Sequence, residues 1–202
     1  MAHETGSDPR VGWEQGRSCG PCDLCCTVLR VDELHKLGGT ACVHQRRDPP
    51  GCGIYDSRPG ICRAYRCLWL RGGLEEGDRP DRTGAVIDLA TSEGPPYLAV
   101  REFRAGTFEA SVRLQEIGER FRELIPVRVT SAENAMDSDR PYRVLLADGV
   151  EHRVEGEWTT VFVHGRRVAH RRIPLLERTA RRFGLWLRRL RLARQRPGSS
   201  RN

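Results

Sequence analysis

Eight cysteines lie in the first third of the chain, and they are the residues best suited to chemistry. A Cys-x-x-Cys step lets two thiolates converge on one metal, and the chain opens with two such steps that share Cys22. Four thiolates can hold a tetrahedral zinc ion or an iron–sulfur cluster, so zinc and iron are both candidate metals. The predicted ligands are Cys19, Cys22, Cys25, Cys26, Cys42, Cys52, Cys62 and Cys67.

The spacing also indicates how these ligands could be shared. Cys25 and Cys26 are adjacent and their side chains tend to diverge, so they can serve two different centres. Eight thiolates supply two four-coordinate sites, or one cluster with spare redox cysteines. His44, two residues after Cys42, is a substitute ligand. Five nearby arginines could offset the thiolate charge: Arg46, Arg47, Arg58, Arg63 and Arg66.

The expected compartment bears on how the cysteines are used. Residues 1–8 lack the basic start and apolar stretch of a secretory signal, and no apolar run approaches the roughly 20 residues that span a bilayer. We therefore expect a cytoplasmic protein, in which metal or redox chemistry is commoner than disulfides. Structural zinc, a redox-active or catalytic iron–sulfur centre, and disulfides or inert thiols all stay open, because spacing does not separate them.

The combined cysteine pattern resembles a known family. The pattern consists of Cys19-Gly-Pro-Cys-x-x-Cys-Cys26, then Cys42-x-His44, then the run from Gly51 to Leu70 with its three cysteines. Over residues 18–70 it is similar to the zinc- or iron-chelating CxxCxxCC domain of the YkgJ-type cysteine cluster proteins. The resemblance implies metal binding and a distant relation to flagellin lysine N-methylases. No methyl-donor site is visible, so methylation is not carried over.

Turn residues and a shortage of aliphatic side chains predict an irregular metal-binding module over residues 18–70, stabilised by its metal. A small, mainly antiparallel α+β domain is expected over 71–172. Its predicted strands cover 85–89, 97–103, 127–130, 142–147, 150–155 and 159–163, and Asp148-Gly149 suits a tight type I′ hairpin turn. An apolar stripe from Ala110 to Leu124 predicts a helix that begins with Thr107 as its cap.

The ends of the chain are expected to differ from the middle. We expect a flexible arm over residues 1–17, a basic amphipathic helix over 173–195 and a disordered tail over 196–202. From residue 165 onward there are 13 arginines and one acidic residue, which gives this part a net charge of +12. The preceding residues carry a net charge of −5, and the total is +7. Such a helix could bind nucleic acid or an anionic membrane. The alternative, which we favour, is a docked helix with a solvated outer face.

Three functions follow from this pattern. The first is a metal-binding protein that holds zinc or an iron–sulfur cluster through its eight cysteines, with the α+β domain presenting or recognising a protein partner. The second is an enzyme in which an iron–sulfur centre carries electrons or supports group transfer to a protein. The third is a structural-zinc module that engages nucleic acid or an anionic membrane through the basic helix.

Overall fold

The computed structural model describes residues 17–90, 95–133 and 140–194. Helices and strands both contribute, and the strands form a mainly antiparallel sheet. The α+β class predicted from the sequence is therefore confirmed. The arm predicted over 1–17 lies outside the described residues except for Arg17, and the tail predicted over 196–202 lies wholly outside them.

The elements run from short pieces around the cysteines to a long C-terminal helix. The helices are α1 (Leu24–Val28), α2 (Gly60–Ala64), α3 (Pro80–Thr83), α4 (Thr107–Ala110), α5 (Val112–Arg122) and α6 (Leu175–Arg194). The strands are β1 (Gln45–Arg47), β2 (Pro50–Cys52), β3 (Ala85–Ala90), β4 (Tyr97–Glu102), β5 (Val127–Ser131), β6 (Tyr142–Leu145), β7 (Val150–Glu155), β8 (Trp158–Val163) and β9 (Arg166–Arg172). Two short 3-10 turns cover Asp32–Leu34 and Glu76–Asp78.

Strands β3 to β9 form one sheet in which each strand pairs with its neighbour in sequence. All pairs are antiparallel except β4 and β5, which run parallel with Leu98 opposite Val127. A parallel pair needs a crossover connection, and α4 and α5 provide it. The six predicted strands are confirmed with ends shifted by up to two residues. The sequence pattern does not predict β9, whose residues are all exposed and so show no buried alternation.

The predicted hairpin turn at Asp148-Gly149 is confirmed. Both residues have positive φ, 54° and 67°. A type I′ turn requires positive φ at its two central residues, and its twist matches that of the flanking strands. Beyond the turn, β6 pairs with β7 in a register that places Leu145 opposite Glu151.

The predicted helix begins later than the sequence suggests. Thr107 starts the short α4, and α5 begins after Ser111, whose hydroxyl accepts a hydrogen bond from the Leu114 amide at 3.2 Å. Thr107 as the cap of the long helix is therefore wrong, because the extended backbone at Ser111 separates the two helices and Ser111 supplies the cap. Leu114 and Ile117 are buried as the stripe predicts, whereas Leu124 lies beyond the helix and is exposed.

The two faces of β3 are covered by different parts of the chain. Side chains alternate across a strand. Ile87 lies in the main core with Leu114 and other residues of the sheet and α5. Val86 lies in a second cluster with Val28 of α1 and Ala132. The cysteine-rich part is therefore packed on the opposite face of β3 from α5.

The segment that follows the last cysteine belongs to the main core. Leu68, Trp69 and Leu74 are buried in it. The Leu68 amide donates to the Ile87 carbonyl at 2.7 Å, and the Arg17 guanidinium donates to the carbonyls of Trp69 and Leu74, both at 2.8 Å. This anchoring fixes one end of the cysteine-rich part to the sheet.

Helix α6 spans Leu175–Arg194, and several of its apolar side chains face solvent. Leu176, Phe183 and Trp186 are 83%, 58% and 51% exposed. These three side chains are therefore not buried against the sheet, in contrast to the docked helix expected from the sequence. None of the described helices combines the length and the apolar character needed to cross a membrane.

Candidate metal centre

All eight predicted ligands are free, partly buried thiols. Two of them, Cys25 and Cys26, lie on α1. Cys52 ends β2, and Cys62 lies in α2. The remaining four lie in the turns and loops between these elements: Cys19, Cys22, Cys42 and Cys67.

Hydrogen bonds hold the β1–β2 hairpin against α1. The Cys42 amide donates to the Cys26 carbonyl at 3.0 Å, and the Gln45 amide donates to the Cys42 carbonyl at 3.0 Å. The Gln45 side chain donates to Asp23 at 2.8 Å and accepts from the Thr27 hydroxyl at 3.1 Å. Because Cys52 pairs with Gln45 across the hairpin, these bonds place Cys26, Cys42 and Cys52 around one region.

Helix α2 is positioned by a carboxylate from an earlier turn. Glu33 accepts hydrogen bonds from the Gly60 and Ile61 amides, at 3.1 and 3.0 Å. The first amides of a helix have no partner within the helix, so a carboxylate there satisfies them. This contact brings Cys62, the next residue, to the region occupied by the other cysteines.

The thiols line two adjoining cavities. The larger cavity has a volume of about 560 Å³, and the smaller one about 40 Å³. Seven cysteines and His44 line the larger cavity: Cys19, Cys22, Cys25, Cys26, Cys42, Cys52 and Cys62. Five cysteines line the smaller cavity: Cys19, Cys22, Cys25, Cys62 and Cys67.

The thiols surround these cavities without forming a finished site. Within the described part of the chain, no three His, Cys, Asp or Glu side chains are grouped so that they could hold a metal ion as they stand. Binding therefore requires the sulfur atoms to converge from the cavity walls. Coupling of metal binding to local folding is common in small cysteine-rich modules.

Burial keeps most of these thiols protonated. It raises the pKa of Cys22 to about 11, and burial together with the charges of Cys26 and Cys42 raises the pKa of Cys62. A hydrogen bond within the adjacent pair raises the pKa of Cys25 and lowers that of Cys26. A bound cation would favour the thiolates by removing the cost of placing their charges together. The donor set therefore suits a thiophilic metal such as zinc or iron.

The positive charges around the larger cavity differ in part from those expected. Of the five arginines suggested by the sequence, Arg58 lines the cavity, and its guanidinium lies 3.6 Å from the centre of the Tyr55 ring. The other four arginines, all within the described residues, do not line it. Arg30, Lys36 and Arg101 also contribute positive charge to its walls.

A polar network on the cavity wall was not suggested by the sequence. The Tyr65 hydroxyl donates to Asp88 at 2.7 Å, and Arg101 donates to the other carboxylate oxygen at 2.5 Å. Burial, followed by the charge of Asp88, raises the pKa of Tyr65, so this hydroxyl keeps its proton. Only pairing of β3 with β4 brings Asp88 and Arg101 together, which explains why no local motif points to them.

Comparison of the chain with family models, curated proteins and solved structures returns no match. The similarity to the CxxCxxCC family therefore stays a prediction carried by the cysteine pattern.

Proposed function

We propose that this chain is a metal-binding protein whose eight cysteines coordinate zinc or an iron–sulfur cluster. The observation that carries the proposal is that all eight predicted ligands line two adjoining cavities as free thiols. Residues 48 positions apart in sequence, Cys19 and Cys67, line the same small cavity. Such convergence of soft ligands is typical of sites for thiophilic metals.

The metal would have two roles in this proposal. Thiolate–metal bonds would stabilise a segment that contains only short helices and one two-stranded hairpin. Zinc would act as a structural ion, whereas an iron–sulfur cluster would also supply electron transfer. The chain's own residues hold the ligands in place, chiefly through the hairpin contacts of Gln45 and the contact of Glu33 with α2.

The test is metal analysis of the full chain after anaerobic purification, with zinc, iron and inorganic sulfide counted together. We expect zinc alone, or iron with sulfide, in a fixed ratio to protein. An Ala variant of the exposed Ser18, next to the first cysteine, serves as the matched control and should keep the wild-type metal content. A folded chain that contains no transition metal would disprove the proposal.

A reactive iron–sulfur centre is a second candidate, favoured by the size of the larger cavity. Its volume of about 560 Å³ exceeds the needs of one ion and falls within the range of roughly 300–1,000 Å³ typical of small-molecule sites. A group entering it would meet thiols on one side and the Tyr65 network on another. A brown anaerobic sample that bleaches on reduction supports this candidate, and a colourless zinc protein excludes it.

A third candidate function is contact with an anionic membrane through α6, favoured by the exposed Phe183 and Trp186. Their rings stack at 5.5 Å between centroids. The helix is held to the sheet by polar groups, since Arg178 pairs with Glu157 and Arg181 donates to the Tyr142 hydroxyl at 2.9 Å. Exposed aromatic residues beside arginines are typical of interfacial helices.

Sedimentation with vesicles that contain phosphatidylserine tests this third candidate. Phe183→Ser with Trp186→Ser should abolish binding, while Val43→Ser, an exposed apolar residue far from the helix in sequence, should not. Equal binding by all variants, or salt-sensitive binding to nucleic acid alone, would count against a membrane role.

A further inference from the structure

The larger cavity has apolar walls as well as thiols. Five aliphatic side chains line it, those of Leu29, Val31, Leu34, Ile54 and Ile61. Its volume of about 560 Å³ suits a small organic molecule, and pockets for such molecules combine apolar walls with a few polar groups that orient the ligand. The polar groups of this cavity should therefore indicate which class of molecule it binds.

Positive charge predominates among the charged side chains of this cavity wall. Four cationic side chains line the cavity, and Asp88 is the only carboxylate among the described residues that line it. Arg30 pairs with Asp32, and Arg101 pairs with Asp88. The Lys36 ammonium group donates to three backbone carbonyls. Three of the four cations are therefore engaged within the protein.

Arg58 is the fourth cation, and its guanidinium group is held in place from one side only. Its Nε donates to the Tyr55 carbonyl at 2.7 Å, and its Cζ lies 3.6 Å from the centre of the Tyr55 ring. A turn, in which the Ser57 amide donates to the Ile54 carbonyl at 3.1 Å, fixes the backbone between them. Within the part of the chain that the structure describes, neither terminal nitrogen of Arg58 has a hydrogen-bond or ion-pair partner. These two nitrogens are therefore available to a ligand.

We propose that the larger cavity binds a small organic carboxylate, which pairs with the terminal nitrogens of Arg58 and lays its apolar body against the aliphatic walls. This inference goes beyond the proposed function and concerns the same cavity. A guanidinium fork matches the two oxygen atoms of a carboxylate, and the pair is stronger where apolar walls reduce the contact with water. A single carboxylate fits better than a multiply charged anion, because the other three cations are engaged.

The alternative role of Arg58 is to offset the charge of thiolates, since its own charge acts on Cys26, Cys52 and Cys62. Charge offset requires only a positive group near the sulfur atoms. A carboxylate site requires unpaired donors, a fixed guanidinium group and apolar walls beside it. The contacts with Tyr55 and the aliphatic lining meet these further requirements, and so they favour the carboxylate site.

Binding of 2-naphthoate to the full chain, purified anaerobically and followed by fluorescence anisotropy, tests the proposal. The matched neutral probe is 2-naphthamide, which has the same rings and no charge. We expect naphthoate to bind about tenfold tighter or more, because it alone forms a hydrogen-bonded charge pair. Arg58→Gln should reduce the affinity for naphthoate to that for naphthamide, and Arg58→Lys should retain part of the preference, since lysine keeps the charge without the fork. Arg63→Gln is the control and should bind as wild type, because Arg63 is exposed on α2 and does not line the cavity.

The comparison of the two probes on the wild type needs no variant, so it tests the proposal even if Arg58→Gln does not fold. Equal affinity for the two probes, or wild-type affinity for naphthoate in Arg58→Gln, would overturn the inference and leave the proposed function intact. Loss of naphthoate binding in Phe183→Ser with Trp186→Ser would also overturn it, because the probe would then lie on α6. Metal content is measured in the same samples. A folded chain without any transition metal would disprove the proposed function, whereas a preference for naphthoate in that chain would still support the carboxylate site.

Discussion

Lys36 is the only lysine in a chain that has 33 arginines, and its surroundings explain the choice. It is buried, and its ammonium group donates to the carbonyls of Thr27 and Leu37, at 3.0 and 3.1 Å, and to that of Leu29. A compact ammonium group has three donors that can point at three carbonyls, whereas a guanidinium group is planar. Burial lowers the pKa of Lys36, and the charges of Cys42 and Cys26 oppose that shift.

Lys36→Arg should lower the free energy of unfolding by about 1–3 kcal/mol, because at least one buried carbonyl loses its partner. Chemical denaturation of the metal-loaded chain measures the effect. The reverse exchange at an exposed site, Arg47→Lys, is the control and should change little. Equal denaturation midpoints for the two variants would show that the three carbonyls do not require an ammonium group.

The contribution of Asp78 to the free energy of unfolding depends on pH. It is buried and accepts two hydrogen bonds from Arg113, at 2.7 and 2.8 Å, and one from the Glu75 amide at 2.9 Å. The bonds from Arg113 hold the pKa of Asp78 below its ordinary value. The stability that Asp78 contributes is therefore complete above the unfolded-state pKa of about 3.9, and it is lost as the pH falls through the lower folded-state pKa.

Asp78→Asn should lower the free energy of unfolding at neutral pH by about 1.5–3 kcal/mol, and the difference from wild type should shrink below about pH 4. Glu116→Gln removes an exposed partner of the same arginine and should cost no more than about 1 kcal/mol. Urea denaturation at a series of pH values measures both. A constant difference across that range would mean that the Asp78 charge does not act as described.

Residue types and spacing were sufficient to single out the eight cysteines as candidate ligands, because thiols and the local Cys-x-x-Cys steps are visible in the sequence itself. Residue types and spacing did not predict the other residues that form the cavity wall. Asp88 and Arg101 are 13 positions apart and meet only through the pairing of β3 with β4, in which Asp88 lies opposite Ala99. The role of Lys36 depends likewise on carbonyls that converge only after α1 and the following turn have formed.

At the scale of elements, the loop after Lys36 approaches the end of β5 very closely. Gly39 has φ of +79°, and its amide donates to the Thr27 carbonyl at 2.9 Å. A Cβ atom at this position would lie 2.2 Å from the carbonyl oxygen of Ala132. The group that this Cβ atom would meet is a backbone carbonyl, so the clash could not be relieved by rotating a side chain. Gly39 thus permits the cysteine-rich part to lie against the sheet.

Gly39→Ala should destabilise the contact of the cysteine-rich part with the sheet by more than the roughly 1–2 kcal/mol expected for positive φ alone. Gly106→Ala is the matched control, since Gly106 has φ of +85° but open space around its Cβ position. Thermal unfolding of both variants gives the comparison. If the two lose the same stability, the close approach at Ala132 contributes nothing.

Elements with a strong local sequence signal could be predicted. A helix start with two possible capping residues, and a strand whose side chains are all exposed, could not. Asp148-Gly149 demands a particular turn, and the hairpin follows from it. Thr107 and Ser111 both can cap a helix, and the extended backbone at Ser111 decides in favour of the second. Strand β9 pairs with β8 through its backbone while its side chains remain in solvent, so hydrophobic periodicity cannot reveal it.

At the scale of the whole molecule, two kinds of stabilisation meet at β3. The sheet and α5 enclose an apolar core in which Ile87, Leu98 and Leu114 are fully buried. The cysteine-rich part adds to the other face of β3 a small cluster around Val28 and Val86. Burial of so few apolar side chains contributes only a few kcal/mol, about 1.5–3 for each. In our proposal, metal–thiolate bonds supply the rest.

This division predicts how the molecule responds to the loss of one ligand. In Cys22→Ser, amide protons of residues 19–62 should lose most of their protection from exchange, while β3, β4 and β5 keep theirs. The Leu68 amide should stay protected, because it donates to the Ile87 carbonyl inside the main core. Hydrogen exchange followed by mass spectrometry, with Ser18→Ala as control, resolves the two regions.

The position of the boundary in this experiment distinguishes the two sources of stability. If metal bonds hold the cysteine-rich part, protection should change abruptly between Cys62 and Leu68, where the chain passes from α2 into the apolar core. If packing against β3 held it instead, loss of one thiol would leave residues 19–62 as protected as in the control. A uniform loss of protection, extending through β5, would mean that the sheet itself depends on the bound metal, since its apolar core would then be too weak to fold without the cysteine-rich part.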